Sequence, residues 1–253
     1  MNQNLFTRFN QSIREFRGEP DVAQLQLAAD GALSVFYAPF DYVNPTARVV
    51  LVGITPGRTQ AVNALVAAQQ QLKMGATDEV ALEHAKRTGA FSGAMRKNLT
   101  AMLDHIGLNR WLGLDQCDAL FGDAGQMLQS TSVLPFPVFL NGGNYNGTPD
   151  PVTTPVLRQM VLEHFVPVVR ALTQAVFVPL GPVPTRVMHW LSTQGHISNV
   201  RILEGLPHPS GANAERIQYF LGKKAAALLS AKTNPQKLDA ARSHLKEAVA
   251  GFQ

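Results

Sequence analysis

The chain has 253 residues, 45% of them hydrophobic and two of them Trp, enough to bury a large core as one α/β domain with helical additions. A formal charge of +4 and an isoelectric point near 9.4 admit a polyanionic partner without requiring one. Cys117 is the single cysteine, which excludes a disulfide framework, a cysteine zinc site and a four-cysteine iron–sulfur cluster, and no apolar run reaches the roughly 18 residues of a membrane span. The N-terminal Met1 to Phe6 lacks the basic-then-apolar pattern of a signal peptide, so the expectation is a soluble, cytoplasmic monomer, its single domain covering 1–253 around a core of about 48–229.

In chain order, Leu5 to about Leu27 carries Phe6, Phe9, Ile13 and Phe16 at spacings of three and four, the pattern of an amphipathic helix. Ser34 to Tyr42 reads as an extended, aromatic edge segment with Asp41 its one carboxylate. It leads to Arg48-Val49-Val50-Leu51-Val52-Gly53-Ile54-Thr55-Pro56-Gly57-Arg58-Thr59, a continuous apolar run cut off by Gly and Pro. That pattern fits a strand of a parallel sheet buried on both faces. Ligands of open α/β sheets bind beyond the carboxyl ends of strands. The Gly53-to-Gly57 turn lets backbone N–H groups approach an anion, and Arg58 adds positive charge, although Gly and Pro also close ordinary tight turns. Gln60 to Arg87 reads as two helices broken near Gly75, with Asp78 and Glu79 in the first turn of the second and the charges facing solvent.

Ala90 to Leu99 is a loop feeding a helix that continues through Met102, Leu103 and Ile106. Phe91, just outside it, is either a hydrophobic staple or a ring open to a flat ligand. Gln129 to Leu134 reads as a second strand, followed by a flexible polar loop, Asn141 to Gly147. Leu157 to Thr173 is helical, Ala175 to Gly181 is a third buried strand, and Thr185 to Leu191 is helix again. Val200 to Leu206 is expected as the last strand. It runs into Pro207-His208-Pro209-Ser210-Gly211-Ala212-Asn213 and a helix from about Ala214 to Leu229 that carries Arg216, Lys223 and Lys224. Here a Ser hydroxyl, a Gly and free helix N–H groups fall together, the makings of an anion site. A final helix runs from about Pro235 to Ala250.

This ordered set resembles the uracil-DNA glycosylase superfamily over roughly Arg48 to Leu229. Gly53-Ile54-Thr55-Pro56-Gly57 looks like the family's first motif, and Phe91-Ser92-Gly93-Ala94 like the loop with its base-stacking Phe. Val176 to Gly181 looks like the third strand, and His208-Pro209-Ser210 like the second motif. The resemblance implies a three-layer α/β sandwich around a four-stranded parallel sheet, here with extra N- and C-terminal helices. DNA, duplex or single-stranded, would be the partner, with no cofactor, metal or membrane. By that resemblance His208 holds the charge that develops on the leaving base, while Gly53, Ile54 and Phe91 contact the flipped base. Pro56, Gly57, Arg58, Pro209, Ser210, Gly211, Asn213 and Arg216 would meet the DNA, and Ala212 with Asn213 would fill the vacated stack.

Two departures bear on the chemistry. Thr55 stands where many members of the superfamily carry Asp or Asn for water activation, and a hydroxyl is no general base at neutral pH. Asp41 and Asp123 are the spare carboxylates, although a loop Asp also serves as a cap or turn residue. Ser132 stands where relatives have the Asn that reads a uracil edge, which with Asn141 and Asn144 nearby in sequence suggests a roomier, more polar pocket. The expected activity is monofunctional hydrolysis of the N-glycosidic bond of an enlarged pyrimidine, such as glucosylated hydroxymethylcytosine in phage DNA. Ordinary uracil repair, or non-catalytic binding of DNA or a protein surface, are the alternatives. The remaining histidines show no zinc spacing, and the sequence contains no phosphate loop, dinucleotide fingerprint or serine-hydrolase elbow.

Overall fold

A computed structural model describes residues 5–88 and 93–252. In chain order they form α1 (Leu5–Arg14), β1 (Gln26–Asp30), β2 (Leu33–Phe36), β3 (Val49–Gly53), α2 (Arg58–Lys73), α3 (Asp78–Thr88), α4 (Gly93–His105) and α5 (Leu108–Leu112). Then follow β4 (Leu128–Ser132), β5 (Val138–Leu140), β6 (Gly143–Asn144), α6 (Pro155–Met160), α7 (Val166–Ala171), β7 (Val176–Pro179), α8 (Pro182–Thr193), α9 (Ala214–Phe220) and α10 (Pro235–Ala250). The described residues group into two compact units. One draws on 5–43, 53–88 and 130–171, the other on 44–52, 93–129 and 172–252.

The first unit is built on an antiparallel sheet of order β1-β2-β5-β6. Short strands joined by tight hairpins explain why sequence periodicity passes over it: β5 has three residues and β6 two. Leu140 pairs with Gly143 across a two-residue turn, Asn141-Gly142, with φ of 50° and 75°. Positive φ at both positions is the type I′ geometry that follows strand twist and that Asn-Gly adopts readily. The segment expected at an edge is therefore interior, because β2 pairs with both β1 and β5. The first helix ends at Arg14 rather than near Leu27, whose neighbourhood is β1. Phe6, Phe9 and Ile13 on α1 are buried, and Phe9 stacks on Tyr37 with centroids 4.6 Å apart. Ala61, Ala64 and Ala68 of α2, all fully buried, are small enough for neighbouring backbones to pack closely. One charge expected in solvent is not there, since Lys86 of α3 is buried. The helix expected over Leu157 to Thr173 is α6 and α7 joined through a π-type turn, Val161–Phe165.

A parallel three-stranded sheet of order β4-β3-β7 carries the second unit. Val49 pairs with Val176, and the register continues to Val52 with Pro179. Val49 to Val52 are fully buried, which is how a continuous apolar run reads when both faces are covered. Leu99, Met102 and Leu103 of α4 and Ile106 just after it join the same core with Ile217 and Phe220 of α9 and Leu245 and Val249 of α10. The last expected strand, Val200 to Leu206, is reduced to one parallel bridge between Phe177 and Ile202, reinforced by Leu203 N–H donating to the Phe177 carbonyl. A 3-10 turn, Asn199–Arg201, precedes the bridge, and Gly205 at φ 104° breaks the extended path after it. α9 is shorter than expected, because Gly222 at φ 73° closes it, so Lys223 and Lys224 lie outside the helix.

Candidate functional site

The Gly53-to-Gly57 turn belongs to the first unit. Thr55 Oγ1 donates to the Phe136 carbonyl at 2.8 Å and accepts from the Val138 N–H at 3.1 Å, so the hydroxyl ties the turn to the segment entering β5. Val133 and Leu134 N–H donate to the carbonyls of Gly53 and Ile54, bringing those two residues beside Ser132. Ser132 is nearly buried, and its Oγ lies 3.4 Å from where a Cβ on Gly53 would stand. The pairing of a Gly with a small hydroxyl residue is thus a close approach of two strand ends.

The start of α2 is less open than the sequence suggests. The Gly57 N–H donates to Gln60 Oε1 at 3.0 Å and the Arg58 N–H to Asn144 Oδ1 at 2.9 Å, so two of the orphan donors of the helix N-terminus already have partners. Pro56 is buried. The Arg58 guanidinium grips Asp21 through two bonds of 2.6 and 2.7 Å, donates to the Gly142 carbonyl at 3.0 Å and lies 4.5 Å over the Phe139 ring. That pairing holds the Asp21 carboxyl below its ordinary range. Asn141 and Asn144, read from sequence as part of a flexible loop, are instead a turn residue and a helix-capping residue. Asp21 and Gln60 are partners that sequence patterning gave no means of choosing.

Asp41 accepts a 3.0 Å bond from the Tyr37 hydroxyl, and burial raises its pKa from 3.8 to about 6. Lys86 donates to the Phe40 carbonyl at 2.5 Å, lies 5.7 Å from the Phe40 ring centroid, and has its pKa lowered by burial to about 8. An acid and a base of strongly altered affinity for protons therefore sit on neighbouring segments, an arrangement enriched at functional sites. Asp123, the other spare carboxylate, is exposed between two 3-10 turns. Phe91 and Ser92 lie outside the described residues, and α4 starts just after them.

The Pro207-to-Asn213 turn belongs to the second unit. Two residues after β7 stands Gly181, whose φ of 105° favours glycine and whose missing side chain leaves room for His208, with Cδ2 3.8 Å from the place a Cβ would occupy. The His208 ring is half-buried and desolvation lowers its pKa, which keeps the imidazole neutral at neutral pH. The Ser210 N–H points at His208 Nδ1 at 3.3 Å. Nδ1 is then the acceptor, and the single ring proton sits on Nε2. The turn itself is fastened on both sides. Asn98 of α4 donates to the Pro209 carbonyl at 3.0 Å, and Asn213 returns to Ser210 through a 2.9 Å backbone bond and a 3.3 Å bond to Oγ. Arg216 donates to Asn213 Oδ1 at 2.8 Å and to the Lys232 carbonyl at 3.2 Å, while Gly211 and Ala212 are exposed. Asn98 was not distinguishable in sequence from any polar residue on a helix.

Among the described residues no cluster of His, Cys, Asp and Glu could hold a metal ion, and no helix is long and apolar enough to cross a membrane. No family model matches the chain, and no solved structure matches it. The protein YoxB of Bacillus subtilis (strain 168), described as uncharacterized, is 36% identical over 202 residues, which make up 79% of this chain and 79% of YoxB.

Proposed function

The chain belongs to the family of Bacillus subtilis YoxB, and we propose that it is a monofunctional DNA glycosylase of uracil-DNA glycosylase type. It would hydrolyse the N-glycosidic bond of a flipped, modified pyrimidine to leave an abasic site, in defence against phages with hypermodified DNA. The observation that carries this reading is the state of His208. Cleavage of an N-glycosidic bond leaves an anionic base beside an oxocarbenium-like sugar, so the protein must offer a preorganised donor to the departing oxygen. A neutral imidazole whose Nδ1 is taken by the Ser210 N–H presents a proton on Nε2 for that purpose.

The sheet order β4-β3-β7, with a parallel bridge at Ile202 on the far side of β7, supports the four-stranded sandwich that the resemblance implies. Water activation falls to a carboxylate, since a hydroxyl is no general base at neutral pH and the Thr55 O–H proton is already donated to the Phe136 carbonyl. Asp41, with its pKa near 6, has the basicity for the task at neutral pH. Ser132 in place of an amide side chain supports a substrate other than plain uracil. The committed hydroxyl of Thr55 also supports a second reading, a member of the fold that binds DNA without cutting it.

Replacing His208 by Ala tests the primary reading. Removal of one preorganised donor to a developing oxyanion costs about 100- to 1,000-fold in turnover. Base release should fall by that order while DNA affinity and thermal midpoint stay near wild type, as read by alkaline cleavage at abasic sites, anisotropy and calorimetry. Undiminished release in His208→Ala removes His208 from the chemistry. Binding without release in the wild-type protein, on every modified DNA tried, favours the non-catalytic reading.

A further inference from the structure

We infer that the strap of residues 221–234, between α9 and α10 of the second unit, is a contact surface for duplex DNA, with its lysines on phosphates and Leu228 against the base edges of the minor groove. The inference rests on the glycosylase reading and adds a contact that lies outside the motifs carrying the resemblance, the last of which is His208-Pro209-Ser210.

Its first support is chemical. From 221 to 238 the chain carries Lys223, Lys224, Lys232 and Lys237 and no Asp or Glu. Between the lysines stands Ala225-Ala226-Ala227-Leu228, four successive apolar residues that are all exposed, with Leu228 at 68%. One exposed Leu is unremarkable, but an exposed apolar run of this length costs solubility unless a partner covers it.

The second support is that the run is held in place. Ala226–Leu228 is a 3-10 turn, and Leu228 and Leu229 N–H donate to the carbonyls of Ala225 and Ala226. Glu215 of α9 anchors the strap through Ser230 N–H at 3.2 Å, Ser230 Oγ at 2.7 Å, Thr233 Oγ1 at 2.6 Å and Lys224 Nζ at 2.8 Å. Lys224 is thereby largely neutralised, leaving Lys223 and Lys232, both exposed, to face a polyanion. A surface already ordered loses little conformational entropy on binding.

The third support is continuity. Arg216 bonds Asn213 with one guanidinium nitrogen and the Lys232 carbonyl with the other, so the strap abuts the turn that follows His208. Minor-groove proteins combine basic side chains with an apolar wedge in this manner. A lipid surface fits less well, because a lone Leu and three Ala offer little apolar area to the acyl boundary.

The test is anisotropy titration of a fluorescein-labelled duplex containing a tetrahydrofuran abasic analogue, and of the matching single strand, over a range of salt. Lys223→Ala/Lys232→Ala should weaken duplex binding and lower the salt slope by about two, one for each phosphate no longer neutralised. Leu228→Ala should weaken duplex binding several-fold, with the slope and single-strand binding unchanged, whereas Lys73→Ala, on α2 of the first unit, should change nothing. Wild-type affinity and slope in both strap variants overturn the inference and leave the glycosylase reading standing. Absence of DNA binding by the wild-type protein overturns both. In a parallel sedimentation assay with phosphatidylserine vesicles, vesicle binding that both strap variants lose while keeping wild-type DNA affinity assigns the strap to a lipid surface and overturns the DNA assignment.

Discussion

Asp41 and Lys86 illustrate how one substitution can separate stability from function. Burial raises the Asp41 pKa from 3.8 to about 6, so the folded chain favours the neutral acid. Its contribution to stability is therefore greatest below about pH 4, declines as pH rises to about 6, and stays at the reduced level above that. Lys86, lowered from 10.5 to about 8, acts from the other side: stability is lost as pH falls from about 10.5 to about 8. Asn at position 41 keeps an oxygen for the Tyr37 hydroxyl and carries no charge. Asp41→Asn should thus raise stability by roughly 2–3 kcal/mol at pH 7 and by almost nothing at pH 4, measured by urea unfolding at both values. If Asp41 activates water, the same variant should lose base release at pH 7. Equal stability effects at the two pH values would contradict the burial argument, and full activity would return Asp41 to a structural role. Neither group's environment could be read in the sequence, where Lys86 is one of several charges on a helix and only the fold shows that it faces the backbone of Phe40.

At the scale of elements, the start of α2 is closed by Asn144 and Gln60, and Arg58 is held by Asp21. A guanidinium with two short bonds to a carboxylate is a weak phosphate ligand until that pair opens. Asp21→Ala should therefore increase DNA affinity and steepen its salt dependence if Arg58 belongs to the DNA contact, while costing about 1 kcal/mol or less of stability, since the pair is partly exposed. Unchanged affinity in Asp21→Ala would mean that Arg58 serves only the β5–β6 hairpin. The sequence makes some elements plain and hides others for physical reasons. β3, β7, α2 and α10 are legible because each joins a sustained apolar period or run to a definite stop: Gly and Pro after β3 and β7, Gly75 after α2, Asn234-Pro235 before α10. β1, β5 and β6 are short strands whose pairing is decided by hairpins rather than by alternation, and Gln26–Asp30 is mostly exposed. The expected last strand satisfies strand propensity, yet only Ile202 finds a ladder partner, because propensity carries no information about where pairing stops. The turn around His208 is built locally, since the Ser210 N–H that faces Nδ1 lies only two residues on.

For the molecule as a whole, a net charge of +4 drawn from 22 basic and 18 acidic residues is too small to select a partner, so under the proposed function discrimination would rest on contacts to the base. Under the proposed function, binding energy from phosphates would be common to all DNA, whereas the group at position 132 would bear on the base itself. A site built to hydrogen-bond a particular edge rejects an analogue lacking it by several powers of ten, while a site without those partners cannot impose that preference. Ser132, nearly buried against Gly53, offers one hydroxyl where an amide would offer two complementary bonds. Uracil should accordingly be a poor substrate, and DNA carrying glucosylated hydroxymethylcytosine should release its base at least tenfold faster than uracil or hydroxymethylcytosine DNA under matched conditions. Free base identified by mass spectrometry, with abasic sites counted by alkaline strand cleavage, gives both rates. Ser132→Asn should shift the preference back toward uracil if reading of the base edge is the deciding term. Efficient uracil release by the wild-type protein would instead assign it to ordinary repair, with the small residue at 132 explained by its packing against Gly53 alone.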